Sequence, residues 1–148
     1  NSDYKLDLVG DSNERIDIEE YAKTTKYYSD IHFLGSKKPE EVAQILNEHK
    51  VLAVTSTHPY YEAFGIVVLE GLACGCTVVG ADGDGIEEAL HRLGLLYHNG
   101  DVTSLRRALT KAKIQKEDKQ IRSCKWLNTQ TLHEVSCKYI KIFEMTNE

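Results

Sequence analysis

The chain has 148 residues, 41% of them hydrophobic and 28% charged, the size and composition of one soluble globular domain. A domain of about 150 residues hides roughly 68–70% of its unfolded surface, so neither disulfides nor a structural metal is required to hold it together. The formal net charge of −5 weighs against a nucleic-acid-binding surface, which normally shows as a concentrated positive field.

Short apolar runs alternate with amphipathic stretches, the pattern of a parallel sheet covered by helices. Lys5 to Val9 reads as a strand stopped by Gly10-Asp11; a polar helix follows from about Glu14 to Tyr28, and Ile31 to Leu34 returns as a strand ended by Gly35. Pro39 suits a first helical turn whose dipole Glu40 and Glu41 complement, with Val42, Ile45 and Leu46 on the buried face and an end near His49. Val51 to Thr55 is a β-branched-rich strand, the loop Ser56 to Ala63 leads to a helix from about Phe64 to Cys74, and Thr77 to Gly80 is the next buried strand. Gly83-Asp84-Gly85 opens a helix through about Leu93, Leu95 to Tyr97 forms a last short strand, and Asp101 caps a helix through about Lys113. Two further helices follow, the last from about Thr129 to Phe143 with Leu132, Val135, Ser136, Tyr139, Ile140 and Phe143 at helical spacing. The expected fold is α/β: a Rossmann-like, doubly wound parallel sheet with helices on both faces, in a single domain 1–148 whose residues 115–148 are closing helices.

Cys74 and Cys76 lie one residue apart in an apolar run, and Cys124 and Cys137 lie downstream without C-x-x-C spacing. Free thiols in a reducing compartment are therefore expected, and no metal site. No signal-peptide core or membrane-length apolar run occurs, which places the chain in the cytoplasm. Lys111, Lys113, Lys116, Lys119, Arg122 and Lys125 cluster late but are interleaved with Glu117 and Asp118; a solvated helix face is the favoured reading over a surface meeting anionic lipid. His58-Pro59-Tyr60-Tyr61 reads as a rigid lead-in to the next loop, because Pro59 fixes the backbone.

The most informative stretch is YYEAFGIVVLEGLACG, Tyr60 to Gly75. Glu62 precedes a helix and Glu70 lies about two turns inside it, so the pair can flank whatever docks at that helix start. Gly65 removes a side chain where backbone must approach a ligand, and the amides near Phe64, Gly65, Ile66 and Val67 suit a diphosphate. Glu70 stands among Ile66, Val67, Val68, Leu69, Leu72 and Ala73. A carboxylate so surrounded calls for strong donors such as a ribose diol, the alternative being a helix-edge Glu facing water or an internal cation.

Here the chain resembles the retaining GT-B glycosyltransferases of the group that includes glycogen and sucrose synthases. Glu62-Ala63-Phe64-Gly65 through Glu70, continuing to Ala73-Cys74-Gly75, matches that group's E-x-F-G-x-x-x-x-E frame without a gap. Leu8-Val9-Gly10-Asp11, Ile31 to Gly35, Thr77-Val78-Val79, Leu95-Leu96-Tyr97 with Asn99-Gly100-Asp101, and Trp126 extend the likeness over essentially the whole chain. The resemblance implies the C-terminal, donor-binding half of a GT-B fold and a hexosyltransferase-type enzyme that transfers sugar from a UDP-, GDP- or ADP-sugar with retention, without a metal or other cofactor. It implies Glu70 on the nucleotide ribose, Glu62 as the catalytic-site contact to the transferred sugar, and Ala63, Phe64, Gly65, Ile66 and Val67 on the sugar and diphosphate. Gly35, Ser36, Gly83, Asp84 and Gly85 would form the rim of the donor cleft.

Two departures stand out. Asp84 and Glu87 occupy positions where the group usually has a glycine and a proline. A carboxylate near a diphosphate repels it, so Asp84 points away, pairs with a cation, or marks a changed donor preference. The group's first strand, ending in G-R, its lysine loop and its acceptor-binding domain do not occur before Asn1. The expectation is thus a fragment or separate half, lacking the first strand, that exposes strand edges and is weakly active or inactive alone. The complete enzyme would meet a glycan, lipid or other acceptor, and a peripheral association with the cytoplasmic face of a membrane stays open. The alternative is a non-catalytic nucleotide-binding or complex-forming Rossmann-like module.

Overall fold

A computed structural model describes residues 4–56, 65–115, 125–131 and 133–137, in two compact units, Asn1–Ile45 and Leu46–Glu148. In the first unit β1 (Leu6–Val9) and β2 (Ile31–Gly35) pair in parallel, Leu6 opposite Ile31, with a register shift that brings Val9 opposite Gly35. Asp7 and His32 face each other across the pair, and Asp7 Oδ1 lies 2.8 Å from His32 Nδ1. The crossover helix α1 (Arg15–Lys23) stops short of the Tyr28 that the sequence pattern suggests. The hydroxyls of Thr24 and Thr25 donate back to the carbonyls of Tyr21 and Ala22, a local alternative to continuing the helix. A 3-10 turn at Tyr28–Asp30 then delivers the chain to β2. In α2 (Pro39–Glu48) the proline takes the first helical position. The Lys38 amide donates to Glu41 Oε2 at 2.9 Å, the side-chain half of a capping box.

The second unit is built on β3 (Val51–Val54), β4 (Thr77–Ala81) and β5 (Leu95–Tyr97), all parallel and in that spatial order, with Val51 opposite Thr77 and Val79 opposite Leu95. Successive residues of a strand point to opposite faces, and β4 is central, so each of its faces is buried. Val78 joins Val54, Val68, Leu72, Ile86, Ala89 and Leu90 on the side of α3 (Ile66–Ala73) and α4 (Asp84–Leu90). Val79 joins Ala81, Tyr97, Ala108 and Ala112 on the side of α5 (Val102–Ile114). Both valines are fully buried, as parallel strands between two helical layers require. The fold is thus α/β, with parallel sheets flanked by helices; among the described residues the five strands form two sheets.

Three local outcomes refine the sequence reading. α4 ends at Leu90, three residues before the Leu93 that the pattern suggests, because His91 and Arg92 turn left-handed at φ 42° and 63°; such a turn stops an α-helix. The His91 ring stacks on Trp126, centroids 4.9 Å apart and planes 8° apart, and Trp126 packs against the α3–α4 core. Helical residues occur at 125–128 and 133–137. The rest of the two closing helices, including Leu132, Tyr139, Ile140 and Phe143, lies outside the described residues, as do Lys116, Lys119, Arg122 and Cys124. Cys74, Cys76 and Cys137 are free thiols. The buried Cys76 thiol donates to the carbonyls of Leu46 and His49 at 3.2 and 3.3 Å, closing the end of α2.

Candidate functional site

In a parallel sheet all carboxyl ends lie on one edge, and the helix that follows each strand starts there. In the second unit this places the N-termini of α3 and α4 at the carboxyl edge of β3, β4 and β5, and α3 packs against α4. The first turn of α3 is preceded by Gly65 in the left-handed region, φ 66° and ψ 61°, which glycine adopts without a Cβ penalty. The glycine of the E-x-F-G frame is therefore required by backbone conformation and not only by ligand approach. Beyond it the amides of Ile66 and Val67 find no acceptor among the described residues, leaving donors and the positive end of the helix dipole open.

Glu70 sits one turn into α3, about 6 Å along an axis that rises 1.5 Å per residue. The helix starts at Ile66 rather than Phe64, so Glu70 is nearer the opening than two turns. Of the two placements the sequence leaves open, a carboxylate crowded by hydrocarbon and a helix-edge Glu facing water, the structure has the second: Glu70 is turned outward. Val68, Gly71 and Leu72 take the buried side, and Glu70 shares an exposed stripe with Ile66, 67% accessible. Its carboxylate has no hydrogen-bond or ion-pair partner among the described residues. It is open to a ligand's donors without a burial penalty.

Two features fix this orientation. A Cβ at Gly71 would overlap the Leu52 side chain and crowd Val78, so the absent side chain lets α3 lie close on β3 and β4. At the other end Gly75, at φ 81°, donates to Leu72 O while Cys76 donates to Gly71 O, at 3.1 and 2.9 Å. This is a Schellman motif, and it explains the Cys-Gly that follows the frame.

The exit of β4 forms the second part of the edge. Asp82 Oδ1 accepts from the Asn99 amide at 2.8 Å, Asp82 Oδ2 lies 2.7 Å from His98 Nδ1, and the Asp82 amide donates to Tyr97 O at 2.8 Å. The Asn99 amide first, and the His98 ring second, hold the Asp82 carboxyl below the usual carboxylate range. The exits of β4 and β5 are thereby tied together. Gly83, next in the chain, donates its amide to Glu87 Oε2 at 3.2 Å, so Glu87 is turned back on its own loop.

Of the residues singled out in the sequence, Gly65, Ile66, Val67, Glu70, Gly83, Asp84 and Gly85 fall together on the carboxyl edge of the second unit. Gly35 and Ser36 lie at the end of β2 in the first unit. Glu62, Ala63 and Phe64, with His58, lie outside the described residues. Asp82 and His98 escape sequence reasoning; the available signal is a carboxylate immediately after a buried strand, with a histidine immediately after the next. Among the described residues no three His, Cys, Asp or Glu side chains gather in a way that could hold a metal ion.

Parallel strands covered by helices on both faces, with two helix starts at their carboxyl edge, define the Rossmann-like class that takes ligands at this edge. The chain belongs to the family of glycosyl transferases group 1, whose model matches residues 1–124. It is 34% identical over 105 residues to the N-acetyl-alpha-D-glucosaminyl L-malate synthase of Bacillus anthracis, covering 70% of this chain and 26% of that protein. It is 33% identical over 83 residues to the D-inositol 3-phosphate glycosyltransferase of Rhodococcus erythropolis, covering 56% of this chain and 16% of that one. Among solved structures, HepE of Anabaena in complex with UDP superposes with a TM-score of 0.71 at 22% identity, over 98% of this chain and 41% of HepE. Sucrose-phosphate synthase of Thermosynechococcus elongatus gives a TM-score of 0.72 at 24% identity, over 95% and 39%. These likenesses show the GT-B type of fold. The chain spans about a quarter of the length of the first curated relative.

Proposed function

We propose that this chain supplies the nucleotide-sugar-binding half of a retaining glycosyltransferase. The observation that carries the reading is the start of α3: amides of Ile66 and Val67 and an outward Glu70 carboxylate, all without a partner among the described residues, at the carboxyl edge of a parallel sheet. Amides and the helix dipole suit a diphosphate, and a carboxylate one turn further accepts from the two hydroxyls of a ribose. In this reading Glu70 holds the ribose, Gly65, Ile66 and Val67 with Ala63 and Phe64 hold the diphosphate and sugar, and Glu62 contacts the transferred sugar. Gly83 to Gly85 form part of the rim. The chemistry is transfer of a hexosyl group with retention from a UDP-, GDP- or ADP-sugar, the nucleoside diphosphate leaving onto amides without a metal. HepE with bound UDP is consistent with this assignment. Acceptor binding belongs to a further domain of the complete enzyme, which works in the cytoplasm.

Titration calorimetry of the chain against UDP-, GDP- and ADP-sugars tests the reading. One of them binds weakly, and Glu70→Ala reduces that binding about tenfold, the loss of charged hydrogen bonds worth about 1.5–3 kcal/mol each partly offset by water. Glu62→Ala in a complete enzyme lowers transfer more than binding. Wild-type kinetics in both variants, or robust turnover by the 148-residue chain alone, refutes the assignment. Nucleotide binding with no transfer by the complete protein would favour a non-catalytic module.

A further inference from the structure

α5 segregates charge. It carries Arg106, Arg107, Lys111 and Lys113 and no acidic residue, in a chain whose net charge is −5. Leu105, Ala108, Leu109 and Ala112 are turned to the sheet, and at 100° per residue the opposite side falls to the remaining positions. There Arg106, Arg107, Thr110, Lys111 and Ile114 line a shallow groove of about 340 Å³. Arg106, Arg107 and Lys111 form no ion pair among the described residues. Val102 and Ile114, at the two ends of the helix, are 78% and 74% accessible, more than any other large hydrophobic among the described residues.

Unpaired cations are at ease in water, whereas two aliphatic side chains held in water at the ends of the same helix are not. One partner satisfies both. At the surface of an anionic bilayer the cations meet headgroup phosphates, and the aliphatic tips enter the boundary with the acyl chains. A nucleic-acid backbone would meet the cations but offers nothing apolar. The chain's negative total does not forbid contact, because charges farther off than the Debye length of about 8 Å are screened at physiological salt. We infer that the outer face of α5 is a docking surface for an anionic membrane. The inference does not depend on the proposed transfer reaction.

The test is sedimentation of the full chain with vesicles of phosphatidylcholine alone or mixed with phosphatidylglycerol. The chain partitions to the mixed vesicles at low salt, not to the neutral ones, and salt releases it. Each surface cation contributes roughly fivefold, so the triple reversal Arg106→Glu, Arg107→Glu, Lys111→Glu lowers partition at least a hundredfold. Val102→Ser with Ile114→Ser lowers it roughly tenfold at unchanged charge. The equal-charge control Lys5→Glu, Lys23→Glu, Lys26→Glu leaves partition within a few-fold of wild type. Far-UV circular dichroism of all variants matches wild type, since every substituted side chain is exposed. Failure to bind the mixed vesicles, equal binding to neutral ones, equal loss in the control, or an unaffected serine variant would each overturn the inference. Retention on a soluble polyanion by a chain that ignores vesicles would overturn it as well.

Discussion

Gly71→Ala tests the packing that aims Glu70. The new Cβ would fall into the Leu52 δ-methyl, 3.1 Å from Val78 Cγ2 and 3.4 Å from Leu52 Cβ. The Leu52 tip can rotate away, but Val78 is fully buried and β-branched, with little rotamer freedom. Overpacking of this kind costs about 1–3 kcal/mol. Replacing glycine by alanine inside a helix returns about 1 kcal/mol. The expected net is a destabilisation of about 1 kcal/mol, which for a domain near 150 residues lowers Tm by roughly 2–4 °C. Urea unfolding followed by circular dichroism measures it, and a cycle with Leu52→Ala isolates the clash. On the Leu52→Ala background the penalty should vanish or reverse, a coupling of about 0.5–3 kcal/mol. A Gly71→Ala variant more stable than wild type, or a cycle that is strictly additive, would refute the close-approach argument.

Asp101 accepts from the amides of Thr103 and Ser104 at 2.7 and 3.1 Å, so Asp101→Ala should cost about 1 kcal/mol in urea unfolding and Asp101→Asn much less. The folded pKa of Asp82 is depressed, so the stability it contributes is full above the ordinary carboxylate range and is lost as pH falls through the lowered value. Acid titration of Asp82→Asn should therefore show a shallower loss of stability below about pH 4 than wild type. Burial first, and the neighbouring Cys74 second, push the Cys76 thiol up to about 11. At pH 8 an alkylating reagent followed by mass spectrometry should label Cys74 well before Cys76; simultaneous labelling would contradict the buried, donating thiol.

The parts legible in the sequence are those that depend on local pattern. Pro39 with Glu41 marks the start of α2, Asp101 the cap of α5, and the valines of Thr77 to Gly80 a strand buried on both faces. Each signal lies within a few residues of its effect. The misread ends have a different cause. Thr24 and Thr25 end α1 through hydroxyl bonds to the preceding turn, and His91 and Arg92 end α4 in a conformation that sequence rules assign to glycine. At the candidate site, the E-x-F-G frame marks the start of α3, with Gly65 immediately before it. Its spacing does not decide between a crowded and a water-facing Glu70, because hydrophobic residues crowd Glu70 in sequence while the tightest contact falls on its neighbour Gly71. The Asp82 link to His98 and Asn99 joins residues 16 and 17 positions apart, just past the ends of two neighbouring strands, so its signal is spread over two separate segments and not held in one.

The all-parallel pairing also has a kinetic side. None of the described strands is joined to its partner by a hairpin: β1 reaches β2, β3 reaches β4 and β4 reaches β5 only by way of a helix. Each sheet contact closes a loop of many residues before any strand hydrogen bond repays the lost chain entropy. Helices can form early, but the sheet that gives them a surface must wait for distant segments to meet. During that interval β4, apolar on both faces, is the segment most in need of cover, and a refolding mixture kept dilute should lose least material to aggregation.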